Sequence, residues 1–393
     1  MAAPARQRRV VIASRIFTPE PAAASFALEN SAHAFRDAGW DVRVLTTTYP
    51  GAASGREAGI TVRRAPVLRN AAGYVRGYVS YLSFDVPLLF RLLFMRRADV
   101  ILVEPPPTTG AVVRFAAGLR RIPYVYDAAD IWSDAAVNTT DSRFVLRTLL
   151  ALERFAMRGA RHAFVVAPAY AARMRELGIR TPTTVVGFGA DTESFEYRSS
   201  PRSAEAPFFV YAGSYSEWHG ADIFVSAFAP LVARHPGARL LFVGNGAERP
   251  ALERLAADLG VSASLEFRDP VPPAELAGIL GAATASLASL KPGVGYDYAF
   301  ATKVYSSLAV GCPVVFTGAG PSGPFIAAAS TEVSAGSAVA YDAVAVGAAM
   351  EALTQAPPDD EQRRALSGWT RAHHSLRAVA ERVVSATTDA LGR

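Results

Sequence analysis

Two reactive residue types are scarce in this chain of 393 residues. Its single cysteine, Cys312, excludes an intramolecular disulfide framework and favours a reducing compartment. Of the 40 basic residues only Lys291 and Lys303 are lysines, a bias that a GC-rich genome largely explains. Each lysine that remains is therefore a candidate for a specific role.

Long hydrophobic runs are also missing from this sequence. No stretch reaches the roughly 18 uncharged apolar residues that a membrane span needs. The N-terminal segment is basic but has no apolar run of signal-peptide length, so translocation is not expected. We therefore expect a soluble, cytoplasmic protein.

Sequence signatures of several ligand classes are absent. The six histidines are scattered, and the adjacent His373 and His374 would point to different faces of a helix, so no metal or other cofactor is predicted. No G-x-x-x-x-G-K-[ST] pattern occurs, and no G-x-G-x-x-G follows a predicted strand, which argues against NTPase and NAD roles. Because no RNP-type or helix-turn-helix pattern accompanies the basic residues, nucleic-acid binding is not expected.

The charge is distributed unevenly along the chain. Residues 1–200 hold 26 basic and 17 acidic residues, whereas residues 201–393 hold 14 basic and 18 acidic residues. Within the basic half, residues 74–97 interleave aromatic side chains with arginines. A core-packed helix with solvated arginines explains that segment, and so does a helix that lies on anionic lipid. The charge of this half favours peripheral contact with the inner face of the plasma membrane.

Strands alternate with helices in both halves, which predicts an α/β protein with parallel sheets. The strands predicted in the first half are Arg9–Ser14, Asp41–Thr46, Ile60–Arg64, Asp99–Val103, Pro123–Tyr126 and Ala163–Val166. Those predicted in the second half are Phe208–Gly213, Arg239–Val243, Leu265–Arg268, Ala285–Leu290 and Pro313–Thr317. The repeated order indicates two Rossmann-like domains that face each other, with ligands in a cleft at the carboxyl ends of the strands.

Composition sets the expected domain boundaries. Residues 1–190 form the predicted N-terminal domain, and residues 191–207, rich in Ser, Glu and Pro, form the predicted linker. Residues 208–370 form the predicted C-terminal domain. Residues 371–393 are predicted as a terminal helix that packs back on the N-terminal domain.

The segment from Tyr296 to Pro313 is the strongest candidate for a binding site. Thr302 can cap a helix that begins near Lys303, and the first turn of such a helix offers free backbone N–H groups to a diphosphate. Lys303 adds an ammonium suited to the charge that develops on a departing nucleoside diphosphate. The alternative is a capped amphipathic helix with one solvated lysine.

Two further loops of the second half suit a ligand. Gly244-Asn245-Gly246 forms a turn that brings backbone close to a ligand, although any strand-to-helix connection needs such a turn. Asp269 can pair with the edge of a nucleobase, or it can initiate an Asp-Pro turn.

Acidic residues follow two strands of the first half. Asp127 and Asp130 lie just after the strand that ends near Tyr126, and Trp132 follows them. Their carboxylates suit acceptor hydroxyls or a general base, and an N-cap for the next helix is the alternative for either residue. Glu104 ends the preceding strand and is a further candidate contact for an acceptor, whereas the three prolines after it more simply set a rigid loop.

Several segments in order resemble glycosyltransferase family 4. They are Thr18–Thr46, Asp130-Ile131-Trp132, Leu241–Gly246, Phe267–Val271 and Thr302–Val315. Over nearly the whole chain they are similar to bacterial exopolysaccharide and O-antigen transferases of group 1. The resemblance implies a GT-B fold and a retaining, metal-independent transfer of a sugar. The donor would be of UDP or GDP type, and the acceptor a lipid-linked or saccharide molecule in cell-surface polysaccharide synthesis.

Together with the motifs above, the resemblance assigns roles to individual residues. The predicted catalytic residues are Asp130, Asp127 and Lys303. The predicted donor-binding residues are Gly213, Ser214, Tyr215, His219, Gly244, Asn245, Gly246, Asp269, Val271, Tyr298, Ala301, Thr302, Lys303, Tyr305 and Ser306. The predicted acceptor-binding residues are Thr18, Ala24, Ser25, Glu104 and Trp132.

The chain departs from the family pattern at charged positions. Ser306 and Tyr298 stand where many relatives carry two glutamates, and Ser214 and His219 stand where they carry an arginine and a lysine. His219 can supply a partial charge if a nearby phosphate raises its pKa. Lys303 is then the main cation of the predicted site.

Two other functions fit the same residues. A nucleotide-sugar epimerase of GT-B fold would act without any acceptor. A non-catalytic scaffold subunit would explain the missing glutamates and the missing Arg/Lys pair.

Overall fold

The structure is a computed structural model that describes residues 6–20, 22–70, 75, 77–137, 140, 142–199, 206–294 and 297–392. The chain forms two compact units. The first unit combines Met1–Phe188 with Leu376–Arg393, and the second is Gly189–Ser375. Among the described helices, none has both the length and the apolar character that crossing a membrane requires.

The first unit is built on a sheet in the order β3-β4-β2-β1-β5-β6-β7-β8. Its strands are β1 (Arg9–Ala13), β2 (Asp41–Thr47), β3 (Gly55–Glu57), β4 (Ile60–Ala65), β5 (Val100–Val103), β6 (Tyr124–Ala128), β7 (His162–Val165) and β8 (Thr183–Val185). Every described pair is parallel except β3 with β4. The apolar sequences of β1 and β5 are almost wholly buried, as a parallel sheet covered on both faces requires.

Helices cover both faces of this sheet. They are α1 (Ala23–Asp37), α2 (Tyr78–Phe94), α3 (Pro107–Arg120), α4 (Trp132–Val137), α5 (Arg143–Arg158), α6 (Pro168–Glu176) and, from the end of the chain, α14 (Leu376–Gly392). The connections from β4 to β5, from β5 to β6 and from β6 to β7 run in one direction along the sheet. Because such crossovers are right-handed, α2, α3 and α5 form one layer, in which α2 packs on α3 and α3 on α5. The connection from β1 to β2 runs the other way, so α1 lies on the opposite face, where it packs on α14.

The second unit is built on a wholly parallel sheet in the order β11-β10-β9-β12-β13-β14. Its strands are β9 (Phe208–Ala212), β10 (Arg239–Val243), β11 (Leu265–Arg268), β12 (Ala285–Leu290), β13 (Val314–Gly318) and β14 (Gly336–Val339). Its helices are α7 (Asp222–Arg234), α8 (Arg249–Asp258), α9 (Pro273–Ala282), α10 (Lys303–Ala309), α11 (Ser322–Ala329), α12 (Ala343–Gln355) and α13 (Asp360–His374).

Each sheet has one point where the strand order reverses, between β1 and β5 in the first unit and between β9 and β12 in the second. In open α/β sheets, ligands bind outside the carboxyl ends of the strands at such a reversal. Ser14, Arg15 and Glu104 follow β1 and β5, and the loop that begins at Gly213 follows β9. These residues therefore lie at the position where a ligand is expected in each unit.

The predicted linker and the C-terminal segment differ from the composition-based boundaries. The predicted linker begins within the second unit, where the hydroxyls of Tyr197 and Ser199 donate to the Asp360 carboxylate. The predicted terminal helix from residue 371 is two helices, because α13 ends at His374 and Ser375 adopts an extended conformation before α14. Only α14 belongs to the first unit. Residues 200–205 of the predicted linker lie outside the described residues.

Candidate functional site

Three glycines allow two loops of the second unit to touch backbone to backbone. Gly244 follows β10 with φ near +146°, and a Cβ atom on it would lie 1.9 Å from the carbonyl oxygen of Gly213. A Cβ on Gly246 would lie 2.3 Å from the carbonyl oxygen of Tyr215. The amide of Tyr215 donates to the carbonyl of Asn245 at 3.1 Å, which fixes the two loops together. Only glycine fits these positions, so the Gly244-Asn245-Gly246 turn is a constrained feature of the reversal point.

Lys303 projects its ammonium into this loop cluster from the first residue of α10. Its Nζ lies 3.6 Å from the centre of the Tyr211 ring. A Cβ atom built on Gly213 would lie 2.9 Å from the same Nζ. The Nζ atom is buried and makes no hydrogen bond within the described residues. Burial lowers the pKa of Lys303 to about 7. A buried ammonium that lacks an anionic partner costs free energy, which a bound anion would offset.

His219 lies near Lys303 in the same loop cluster, and its pKa is lowered. It ends a 3-10 turn (Glu217–His219) and is buried, with its ring stacked on Trp218 at a centroid distance of 3.6 Å. Its Nδ1 lies 3.0 Å from the Ser216 hydroxyl. Burial and the neighbouring charge of Lys303 lower the pKa of His219 to about 3. The ring is therefore neutral at physiological pH in this structure, so a positive charge at this place comes from Lys303 when its amine is protonated.

The start of α10 differs in detail from the predicted capped helix. Thr302 occupies the N-cap position, but its backbone is helical and its side chain makes no capping hydrogen bond. The helix α10 begins at Lys303 and has only seven residues. The amide of Ala301 donates to the Ser322 hydroxyl at 2.8 Å and so is not free for a ligand. The Lys303 side chain is consequently the main anion-binding group of the predicted site.

Two tyrosines predicted to contact the donor lie in the core of the second unit. The side chain of Tyr215 is fully buried, with its ring edge-on to Phe242 at 5.9 Å, and burial raises its pKa. Tyr305 is also buried and stacks on Phe300 at 4.8 Å. Their side chains hold the loops in place, because aromatic packing of this kind stabilises a core. A direct contact of these two residues with a ligand would therefore come from the Tyr215 backbone.

The remaining donor candidates are spread over the rim of the same strand ends. Ser214 and Asn245 are exposed, and Val271, Tyr298 and Ser306 are partly buried. Asp269 is exposed, but its carboxylate accepts from the Arg249 guanidinium at 3.0 Å, so it is not free to pair with a nucleobase without losing that ion pair. Tyr296, which opens the predicted segment, lies outside the described residues.

Three carboxylates gather at the reversal point of the first unit. Glu104 follows β5 and is buried, with one oxygen 3.0 Å from the donating hydroxyl of Ser14. Burial raises the pKa of Glu104 to about 7, and the charges of Asp127 and Asp130 add to this rise. Burial and the charge of Asp130 likewise raise the pKa of Asp127 to about 7. Glu104 and Asp127 can therefore each exchange a proton near neutral pH, as a general base or acid requires.

Arg15 completes this cluster and was not anticipated from the sequence. It is buried beside the carboxylates and lowers the pKa of Glu104 against the effect of burial. Its guanidinium lies 4.3 Å from the centre of the Tyr81 ring and 5.8 Å from that of Trp132. Its Nη1 donates to the Val75 carbonyl at 2.9 Å, and its Nε has no hydrogen-bond partner in the described residues. The sequence signal for Arg15 is its position directly after the first predicted strand, Arg9–Ser14.

The Glu153 carboxylate holds Trp132 and the loop before it in place. This carboxylate is fully buried and accepts hydrogen bonds from the amides of Trp132 (2.7 Å) and Ser133 (3.2 Å) at the start of α4. Glu153 thus fills the capping role that was the alternative for Asp127 and Asp130. Those two carboxylates remain available to a ligand. Asp134, by contrast, forms a two-pronged ion pair with Arg173 at 2.8 Å.

Thr18, an acceptor candidate of the first loop, lies at a cavity that the three carboxylates do not line. The hydroxyl of Thr18 donates to Glu29 at 3.0 Å, and Thr18 lines a cavity of about 680 Å³ with Glu29, His33 and Arg64. Glu104, Asp127 and Asp130 do not line this cavity, so it is separate from the acid cluster. Ala24 is partly buried, and Ser25 is fully buried with its hydroxyl unpartnered in the described residues.

Comparisons with known proteins identify both halves of the chain. Residues 23–189 match the family model of the glycosyl transferase 4-like domain, and residues 206–355 match that of the glycosyl transferases group 1. A D-inositol 3-phosphate glycosyltransferase of Corynebacterium urealyticum is 33% identical over 181 residues, which are 44% of this chain and 39% of that protein. The chain thus spans about two fifths of the length of this curated relative.

Solved structures share the fold over almost the entire chain. A sucrose-phosphate synthase from Thermosynechococcus elongatus superimposes with a TM-score of 0.71 at 17% identity, covering 98% of this chain and 100% of that one. An Anabaena HepE protein in complex with UDP and glucose gives a TM-score of 0.65 at 16% identity, with coverage of 98% and 100%. These likenesses confirm the predicted α/β fold class of GT-B type.

Proposed function

Since the chain belongs to the group 1 glycosyltransferases of GT-B fold, we propose that it moves a sugar from a nucleoside diphosphate sugar to a hydroxyl acceptor. The second unit binds the donor, and the first unit binds the acceptor. The acceptor is a lipid-linked or saccharide molecule of cell-surface polysaccharide synthesis, met at the cytoplasmic side of an anionic membrane. The transfer retains the anomeric configuration and uses no metal.

The observation that carries the donor assignment is the buried, unpartnered ammonium of Lys303. It lies at the reversal point of the second sheet, where two glycine loops leave the backbone open to close approach. A diphosphate there would raise the pKa of Lys303, because the opposite charge favours the protonated amine. The ammonium then stabilises the negative charge that grows on the nucleoside diphosphate as it leaves.

UDP is the nucleotide that the structural likeness favours for a first trial. The Anabaena HepE protein of the same fold is described in complex with UDP. As contacts of the nucleobase we propose the exposed loop after β9 and the ion pair between Asp269, after β11, and Arg249, at the start of α8. A thermal-shift comparison of UDP, GDP and TDP would identify the base that the protein prefers.

The acid cluster of the first unit supports the acceptor assignment. Asp127 and Glu104 both have a pKa near 7, so one carboxylate can accept the proton of an acceptor hydroxyl while the other is protonated and donates a hydrogen bond. Asp130 reaches solvent beside them and can bind further hydroxyls. Arg15, stacked on Tyr81, presents a cation to the same place.

Thermal-shift and turnover measurements on the full chain test the proposal. UDP, GDP or TDP should raise the melting temperature, and one sugar nucleotide should label a lipid-linked or saccharide acceptor, detected by mass spectrometry. D-inositol 3-phosphate belongs in the acceptor panel because the relative from Corynebacterium urealyticum is named for it. Conversion of the donor sugar without any acceptor would show an epimerase instead. Absence of any nucleotide-induced shift would show a scaffold.

A further inference from the structure

The outward side of α2 is apolar although it faces solvent. Val79, Leu82, Val86, Phe90 and Phe94 recur at helical spacing and are each between 51% and 83% exposed. The inward side is apolar too, with Phe84, Leu88 and Leu92 buried. A helix that is apolar all round is normally covered on every side, so the outward side of α2 lacks its cover.

The neighbouring helices extend this apolar surface. On α3, Phe115 and Leu119 are exposed, and on α5, Phe144 is exposed. Because α2, α3 and α5 form one layer on the same face of the sheet, their outward sides make a continuous surface, which we call the outer helix layer. The α2 helix alone has 17 residues and is about 25 Å long.

The charges of the outer helix layer are all of one sign where they reach solvent. The three helices carry the arginines Arg91, Arg114, Arg120, Arg143, Arg147, Arg154 and Arg158. Their only acidic residues, Asp85 and Glu153, are buried. Arg143 and Arg147 are exposed beside Phe144 and form no ion pair with any described residue. A surface of exposed aromatic side chains among unpaired arginines is complementary to an anionic lipid interface.

A second copy of this chain is a poorer occupant. A two-fold dimer through this surface would place the same arginines against each other, since such an interface is self-complementary. No exposed carboxylate on the three helices would compensate that repulsion.

The opposite side of α2 lies against the acid cluster. Tyr81 stacks on Arg15, and its ring lies 6.2 Å from that of Trp132. Asp85 accepts a hydrogen bond from the Thr109 hydroxyl at 2.6 Å, and its pKa is raised by burial. The apolar surface and the candidate acceptor site are therefore separated by the thickness of one helix, about 10 Å.

We infer that the outer helix layer docks the protein on an anionic lipid surface, with α2 lying in the interface and its inner side facing the acceptor. This inference rests on the proposed function, whose lipid-linked acceptor it places within one helix diameter of the bilayer. Phe90 and Phe94 enter the acyl boundary, while Arg143 and Arg147 contact lipid phosphates. The remaining fold stays outside the bilayer.

Vesicle co-sedimentation of the full chain, without donor or acceptor, tests the inference. Phosphatidylcholine vesicles with and without phosphatidylglycerol are the probes. Binding should require the anionic lipid and weaken with added salt. Phe90→Ser should lower the vesicle affinity at least about fivefold, since a Phe side chain loses its burial in lipid. Phe26→Ser is the matched control, because Phe26 is 47% exposed on α1, on the opposite face of the same sheet.

Charge variants give a second, independent comparison. The double variant Arg143→Gln with Arg147→Gln should lose most of its preference for anionic vesicles. Arg254→Gln, an exposed position on α8 of the second unit, should bind as the unaltered chain does. Circular dichroism and melting curves check that each variant is folded. Because the substituted positions are exposed, the substitutions should leave the fold intact.

Four results would overturn the inference. They are no binding of the unaltered chain to either vesicle, equal losses in Phe90→Ser and Phe26→Ser, undiminished anionic preference in the double arginine variant, and a dimer in solution that Phe90→Ser disrupts. A transfer assay in detergent keeps the two claims apart. Vesicle binding without transfer would leave the docking surface intact and refute the proposed activity, and transfer without vesicle binding would do the reverse.

Discussion

The Nζ atom of Lys303 lies 3.6 Å from the centre of the Tyr211 ring, buried and without a hydrogen-bond partner among the described residues. An aromatic face attracts a cation, but it replaces only part of the hydration that burial removes. The depressed pKa of Lys303, about 7, follows from this loss. The protein thus holds a lysine at a free-energy cost in the unliganded state, at a place where an anion would remove that cost.

Replacing the ammonium should therefore separate stability from binding. Lys303→Met keeps a side chain of similar length and removes the buried charge. We expect it to increase the free energy of unfolding at pH 6 by about 1–3 kcal/mol while abolishing the thermal shift produced by a nucleoside diphosphate. Calorimetry with and without nucleotide measures both effects. A destabilised variant that still binds nucleotide would contradict this role.

The pH dependence of that difference follows from linkage. The folded pKa of Lys303 lies below its ordinary value of 10.5, so the unfolded chain binds more protons between about pH 7 and pH 10. The stability of the unaltered protein should rise over this interval relative to Lys303→Met. Below pH 7 the difference should stay constant. Melting curves of both proteins from pH 6 to pH 10 check the slope, and parallel curves throughout would contradict it.

Glycine substitutions test the contact between the two loops of the second unit. Gly244→Ala should lower the free energy of unfolding by about 2–4 kcal/mol, because its Cβ would overlap the Gly213 carbonyl and its φ is positive. Gly278→Ala is the matched control. It lies in α9 with no atom within 4 Å of the new Cβ, so a gain of about 0.5–1 kcal/mol is expected. Similar effects of both substitutions on chemical denaturation would contradict the close approach.

The acid cluster should make the first unit less stable as the pH rises. The folded pKa of Glu104 is about 7, above its ordinary 4.5, so the folded state binds more protons between these values. The stability that this proton contributes is present at pH 4.5 and is lost as the pH rises through 7. Glu104→Gln should therefore gain about 2 kcal/mol over the unaltered chain at pH 8 and little at pH 5. Glu57→Gln on exposed β3 should show no such dependence.

Arg15 should matter for the acceptor and not for the donor. Arg15→Lys keeps the charge but loses the planar group that stacks on Tyr81. We expect the KM for the acceptor to rise about tenfold or more, with the nucleotide-induced thermal shift unchanged. Steady-state kinetics with each substrate varied in turn make this distinction. An equal change in both KM values would point to a general structural defect.

Much of the fold follows from the strand pattern. The strands β9, β10, β11 and β12 begin at the predicted residues and end at them or one residue before. Three of them are short, mostly buried runs, and β11 alternates apolar with charged residues. The chain between Ala319 and Pro358 carries a weaker pattern. Its small residues give no clear periodicity, so β14 and α12 were not predicted, although Asp342 caps α12 by accepting from the Ala345 amide. Such a cap is a local signal that the sequence does contain.

The sequence points to candidate residues more readily than it describes their surroundings. The sequence points to Lys303 and the glycine loops, but it cannot show that Tyr211 lies under the ammonium or that His219 is buried, since both depend on packing across the sheet. Thr302 fails to cap because its own backbone is already helical. Arg15 was overlooked for the same reason, because its partners Tyr81 and Trp132 come from distant parts of the chain.

The most direct test of the donor site is the proton balance of nucleotide binding. At pH 8 the Lys303 amine should be mostly neutral in the free protein, and a bound diphosphate should protonate it. Isothermal titration with UDP, or with whichever diphosphate gives the largest thermal shift, in buffers of different ionisation enthalpy should then show uptake of close to one proton, and Lys303→Met should show none. Binding by both proteins with no proton uptake by either would contradict the assignment of Lys303 as the cation that holds the donor.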